Sequence, residues 1–160
     1  MTQHLDVAAA GRMGLIIVPR DDEARPAPGP ELLDQVRNYV VSRMGATANF
    51  WISGPDWMEV TVTVEVVPTS LQAADFVGEQ VGAALEKFLH PLTGGFESKG
   101  WKFGRRPYRS DLYTLIEGVS GVDYVQSLSV IETPAANQLV PEQFLIYSGK
   151  HEITVIFDGH

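Results

Sequence analysis

Five of the twelve Lys and Arg residues of this 160-residue chain fall in one short window, Lys99, Lys102, Arg105, Arg106 and Arg109, interleaved with the aromatics Trp101, Phe103 and Tyr108. Rings and cations at this spacing suit three kinds of chemistry. The rings can fold back onto the core while Gly94, Gly95, Gly100 and Gly104 let the chain turn tightly. The same residue types are enriched at protein–protein hot spots. They also suit base stacking with phosphate neutralisation. Structural packing and a protein partner rank ahead of nucleic acid: the window from Glu97 to Asp111 carries +3 on a body of −11, and that acidity argues against generic nucleic-acid binding by the whole surface, since phosphate contacts need clustered Lys and Arg. All eight residues are candidates for a partner interface or a structural loop.

Other residues with chemical capacity are scattered. His4, His90, His151 and His160 have no metal-ligand spacing, and their places at termini and helix ends predict solvated or capping imidazoles. Asp21-Asp22-Glu23 lies among prolines without the Gly and terminal Glu of a calcium loop, so it reads as a solvated charge run. Glu59 and Glu65 stand ~20 Å apart along one strand, too far for a carboxylate pair. No serine sits in a Gly-x-Ser-x-Gly elbow, and the glycines around 94 to 104 match neither a P-loop nor a dinucleotide-binding turn. With no cysteine there is no thiolate ligand or nucleophile. The expectation is a non-enzyme with no catalytic, metal or cofactor residues and no cofactor.

These residues must be positioned by alternating element types. Gly14 to Val18 predicts a short buried strand, Arg20 to Pro30 an exposed Pro-rich loop, and Glu31 to Met44 a helix with Leu32, Leu33, Val36, Tyr39, Val40 and Met44 on one stripe, stopped by Gly45. Ala48 to Ser53 and Trp57 to Val67 predict two strands joined as a hairpin through Gly54-Pro55-Asp56. The second alternates Met58, Val60, Val62, Val64 and Val66 with polar residues, which predicts a half-buried antiparallel strand. Leu71 to His90 predicts the longest helix, ~30 Å, capped by Thr69 or Ser70, with Leu71, Ala74, Val77, Val81, Ala84, Leu85, Phe88 and Leu89 inward. Leu92 to Tyr108 predicts a long ordered loop. Ser110 is the expected cap of a short helix to Glu117, followed by a strand over Val122 to Ile131 with Val122, Tyr124, Gln126, Leu128 and Val130 on one face. Thr133 to Pro141 reads as a loop. Phe144 to Tyr147 and Ile153 to Phe157 predict a closing strand pair around Ser148-Gly149-Lys150.

The fold class expected is α+β: a small mixed or antiparallel sheet carrying two longer helices, a long Gly-rich loop, a short third helix and C-terminal strands. The expected layout is an N-terminal arm over 1–13, a strand-helix-hairpin-helix core over 14–91, and loop, short helix and strands over 92–160 packed on the same domain. No run of apolar residues reaches membrane-span length, and the first residues lack the basic-then-apolar pattern of a secretory signal.

The run Phe88 to Gly95 (FLHPLTGG), then Gly100 to Arg105 (GWKFGR), Tyr108 to Tyr113 (YRSDLY) and Glu117 to Val125 (EGVSGVDYV), resembles the C-terminal region of baseplate J-like proteins. Leu15 to Pro19, the helix from Leu32, the Gly54-Pro55 turn before the Val/Thr strand, and Tyr147-Ser148-Gly149 are similar to that family as well. The resemblance implies a structural protein: a baseplate wedge component of a contractile phage tail or contractile injection system. Such a component is expected to assemble with copies of itself and other wedge proteins into a ring, in the cytoplasm first and then within the particle. It brings no catalytic residues. Family members run to several hundred residues, so the chain is expected to be a C-terminal piece or a short or split version. A carboxylate-based tail hydrolase, or nucleic-acid binding through residues 97–111, are the alternative functions.

Overall fold

A computed structural model describes residues 2–5, 13–45, 49–135 and 143–157. In chain order it contains β1 (Thr2–Leu5), β2 (Met13–Ile17), α1 (Pro30–Met44), β3 (Phe50–Ser53), β4 (Asp56–Pro68), α2 (Leu71–Phe88), α3 (Arg109–Glu117), β5 (Val122–Pro134), β6 (Phe144–Ser148) and β7 (Glu152–Val155). The class is α+β, as the patterning predicts. The strands divide between two sheets, one holding β1, β2 and β3 and the other β4 to β7.

The Val alternation of β4 organises the larger sheet. Val60, Val62, Val64 and Val66 are fully buried on one face, against Val77, Val81 and Leu85 of α2 and Leu112 and Ile116 of α3. Ser70 caps α2, its hydroxyl accepting from the amide of Ala73 at 3.1 Å. Leu71 belongs to the predicted stripe but is exposed, because the buried positions are Ala73, Val77, Val81, Leu85 and Phe88. Gly78 and Gly82 lie on the side of α2 that faces β7. A Cβ at either would already touch Val155 or Ile153 of β7, at 3.7 and 3.4 Å.

Several strand expectations are corrected. Antiparallel pairing holds between β4 and β5, but β6 and β7 both run parallel to β4 along its other edge. They are successive segments of one edge, Phe144–Ser148 beside Asp56–Val60 and Glu152–Val155 beside Thr63–Val66, and not a reversing pair around Ser148-Gly149-Lys150. The chain keeps its direction because Gly149 N still donates to Val60 O at 2.9 Å. The predicted hairpin across Gly54-Pro55-Asp56 is also absent: β3 pairs parallel with β2, and β4 begins the other sheet. Parallel neighbours need a crossover, and α1 is long enough to supply it. In β5 the predicted single face is broken by register shifts opposite Glu65/Val66 and Val67/Pro68, so burial falls at Val122, Val125 and Leu128. Each bulge inserts one residue and flips the alternation.

The smaller sheet buries Leu15, Ile17 and Ile52 against Leu32, Leu33, Val36 and Val40 of α1. No residue of α1 is fully buried, and Tyr39 and Met44 are exposed, so this helix covers its sheet only in part. The two long helices therefore lie on different sheets. The N-terminal arm contributes β1, paired antiparallel with β2. The loop expected over Thr133 to Pro141 begins later, since β5 runs to Pro134; residues 136–142 lie outside the described set. Core side chains from Met58 to Ile146 form one cluster that crosses the boundary drawn at residue 91. Among the described residues, no helix is long and apolar enough to cross a membrane.

Candidate functional site

Between α2 and α3 the Gly-rich segment folds back on the end of α2. Gly94 N donates to His90 O and Gly95 N to Phe88 O, both at 2.8 Å. Trp101 is held twice: its amide donates to Pro91 O and its indole Nε1 to Phe88 O, each at 2.8 Å. Its ring meets Phe88 edge-on, with centroids 5.4 Å apart. Further along, Gly104 N donates to Phe144 O of β6 at 2.9 Å, so the loop is fastened to the helix end and to the sheet. His90 adds a tie to the Pro-rich loop. Its Nδ1 accepts from the amides of Leu92 and Thr93, which leaves Nε2 to donate to Glu23 O at 3.1 Å. It is a cross-link between loops and not a solvated helix end.

The fastened loop encloses an open groove of about 780 Å³. Phe88, Trp101, Phe103 and Leu145 contribute apolar lining, and Lys99, Lys102, Arg105 and Arg106 contribute charge. Seven of the eight sequence candidates, all but Arg109, line it. Arg109 instead directs its guanidinium to the carbonyl of Leu128 and ties α3 to β5. Tyr108 is exposed and forms the N-cap of α3, where its amide donates to the Asp111 carboxylate at 3.4 Å. The cap is thus supplied by Tyr108 and Asp111, and not by Ser110, which lies inside the helix. Lys99 pairs with Glu97 at 3.2 Å, and Arg106 pairs with Glu132 at 2.7 Å while lying over the Phe144 ring. Lys102 and Arg105, exposed at the rim, make no ion pair with any described residue. No family model matches the chain, and no curated protein matches it in sequence.

The scattered carboxylates and serines are engaged in separate places. Glu59 accepts from the Tyr147 hydroxyl at 3.0 Å, and Glu65 from the Ser127 hydroxyl at 2.6 Å. Burial and that bond to Glu59 raise the Tyr147 pKa, so the phenol stays a donor. Ser148 lies 2.8 Å from His151 Nε2, a spacing that suggests a nucleophile and base. The other ring nitrogen decides against it. Nδ1 accepts the buried Val62 amide at 3.0 Å and must be unprotonated, so Nε2 carries the proton and donates to Ser148. An imidazole in that tautomer cannot take a proton from the serine at Nε2.

His151 is therefore a structural residue where the sequence predicts a solvated or capping imidazole. Its ring replaces a missing backbone carbonyl between β6 and β7, and only the spacing of three from Ser148 hinted at it. Burial lowers its pKa below 6.5, although Glu86 and Glu59 act in the opposite direction. A depressed folded pKa stabilises the fold above pH 6.5 and loses that contribution as pH falls toward the folded value. His151→Ala is expected to cost about 2 kcal/mol at pH 8, since the Val62 N–H is left unpaired. In chemical denaturation the gap between native and variant stability should shrink from pH 7 toward pH 5. A gap independent of pH would show that the imidazole does not hold this ladder position. His160 and the side chain of His4 lie outside the described residues.

Proposed function

We propose that the chain is an assembly subunit, a baseplate wedge component of a contractile tail or injection machine, and that it docks on neighbouring wedge subunits and on copies of itself through the groove of the Gly94 to Tyr108 loop. The observation that carries the docking role is the pair Lys102 and Arg105, exposed and without an ion pair among the described residues, at the rim of an aromatic-lined groove whose loop is fastened at both ends. A preorganised surface with aromatic anchors and fixed charge gains affinity and register without a large ordering cost. The wedge assignment rests on the ordered motifs from Phe88 to Val125. The subunit would gather in the cytoplasm during assembly and end in the particle.

Particles purified from cells that build them provide the test. The double variant K102E/R105E is expected to fall at least about tenfold in particle content, because charge reversal at a docking rim opposes association. Its circular dichroism and melting temperature should match the native chain, as both side chains are exposed. Native incorporation of the variant would overturn the docking role. Absence of the unaltered chain from particles would overturn the wedge assignment.

A further inference from the structure

We infer that the groove receives the outer face of α2 from a second copy of the chain, Phe76 entering beside the loop aromatics while Asp75 and Glu79 meet Lys102 and Arg105. The inference rests on the docking role proposed above and names its occupant. Phe76 is 47 % exposed on a helix whose opposite stripe is core. Asp75 and Glu79 are exposed, lie one turn apart beside it, and form no ion pair with any described residue. The knob is thus an aromatic ring flanked by two carboxylates. The groove is its complement: apolar lining, about 780 Å³ of space, and two exposed cations that pair with no described residue.

The contact cannot form within one molecule. Phe88, which lines the groove, lies twelve residues along the same helix from Phe76, ~18 Å away on a rigid rod. Knob and groove are different surfaces of one subunit, so their union either is reciprocal and closes a two-fold dimer or is head-to-tail and extends into a ring or an open chain. The charge division supports it, since the basic window from Glu97 to Asp111 carries +3 and the rest of the chain −11. Association should therefore weaken as salt rises.

Analytical ultracentrifugation of the full chain at low ionic strength tests the assignment. The native chain is expected to show concentration-dependent species above its 17.6 kDa monomer. F76A should weaken association at least about tenfold, as loss of a buried aromatic anchor does. K102E/R105E and D75K/E79K should each sediment as monomer, and an equimolar mixture of the two should recover the assembly, because each reversed face then finds an opposite charge. A native chain that stays monomeric, reversed variants that still assemble, or a mixture that does not recover would each overturn the inference. Particle content separates this failure from that of the docking role. If the native chain is monomeric alone yet K102E/R105E still drops out of particles, the groove binds another wedge subunit and only the self-contact falls.

Discussion

Trp101→Ala is expected to lower the unfolding free energy by about 3 kcal/mol, the low end of the range for truncating a large aromatic in a core, because the indole is half-buried. The loss has two sources. The ring packs on Phe88 edge-to-face and joins the main core to the cluster of Val18, Trp57 and Leu145. Its Nε1 also donates to Phe88 O, a carbonyl at the end of α2 that would keep only the bond from Gly95 N. Trp101→Phe separates the two: it retains the ring contact and should cost about 1 kcal/mol, the worth of one hydrogen bond. Urea denaturation followed by circular dichroism reads both variants. If Trp101→Ala cost less than about 1 kcal/mol, the indole would be a surface ring and the loop would not depend on it. Trp101 and Arg105, both among the eight candidates for a partner interface or a structural loop, should thus separate in experiment, one acting on stability and the other on assembly.

Gly94→Ala should be nearly as damaging, about 3 kcal/mol, at the upper end of overpacking costs. A Cβ at this position would lie 2.1 Å from Phe88 O and 2.5 Å from His90 O. Both are backbone atoms at the helix end and cannot turn aside as a side chain could. The methyl can be housed only by lifting the loop, which breaks the bonds from Gly94 N and Gly95 N. Gly95→Ala is the informative neighbour. Its φ is +79°, so alanine is strained there, but its Cβ would meet nothing nearer than Gly100 O at 3.8 Å. That variant should cost about 1 kcal/mol, the usual penalty of the left-handed conformation. Equal melting temperatures for the two variants would contradict the packing account.

Local elements were legible where periodicity and punctuation agree. The β4 alternation, the α2 stripe from Val77 to Phe88, the Ser70 cap and the Gly45 stop all follow from side-chain period and capping chemistry acting within a few residues. The candidate site was legible as a window, because cations and rings cluster in sequence and seven of the eight named residues line one groove. Arg109 was not separable from the others. Its charge is the same, and only the placement of β5 beside α3 gives its guanidinium the Leu128 carbonyl.

Strand partnership was the illegible part. A Gly-Pro-Asp turn between two strand patterns fits a hairpin equally well as a corner between sheets, and nothing local says that β2 will claim β3 across α1. The same holds for β6 and β7, whose shared direction depends on β4 offering one continuous edge to both. His151 carries the point furthest: an isolated histidine becomes a ladder acceptor only when the edge of β4 presents the Val62 amide to it.

By itself the amino-acid sequence determined the element types, the acidic body with its one basic aromatic loop, and the residues from which a docking surface could be built. These depend on side-chain chemistry and on spacing along the chain. Tertiary structure alone decided which cation is paired, which ring is a brace, and which histidine is built into the sheet. Each of those outcomes is set by a partner distant in the chain, Glu132 for Arg106, Phe88 for Trp101 and Val62 for His151. The energy of an ion pair, a ring contact or a hydrogen bond exists only at the few ångströms that folding brings about.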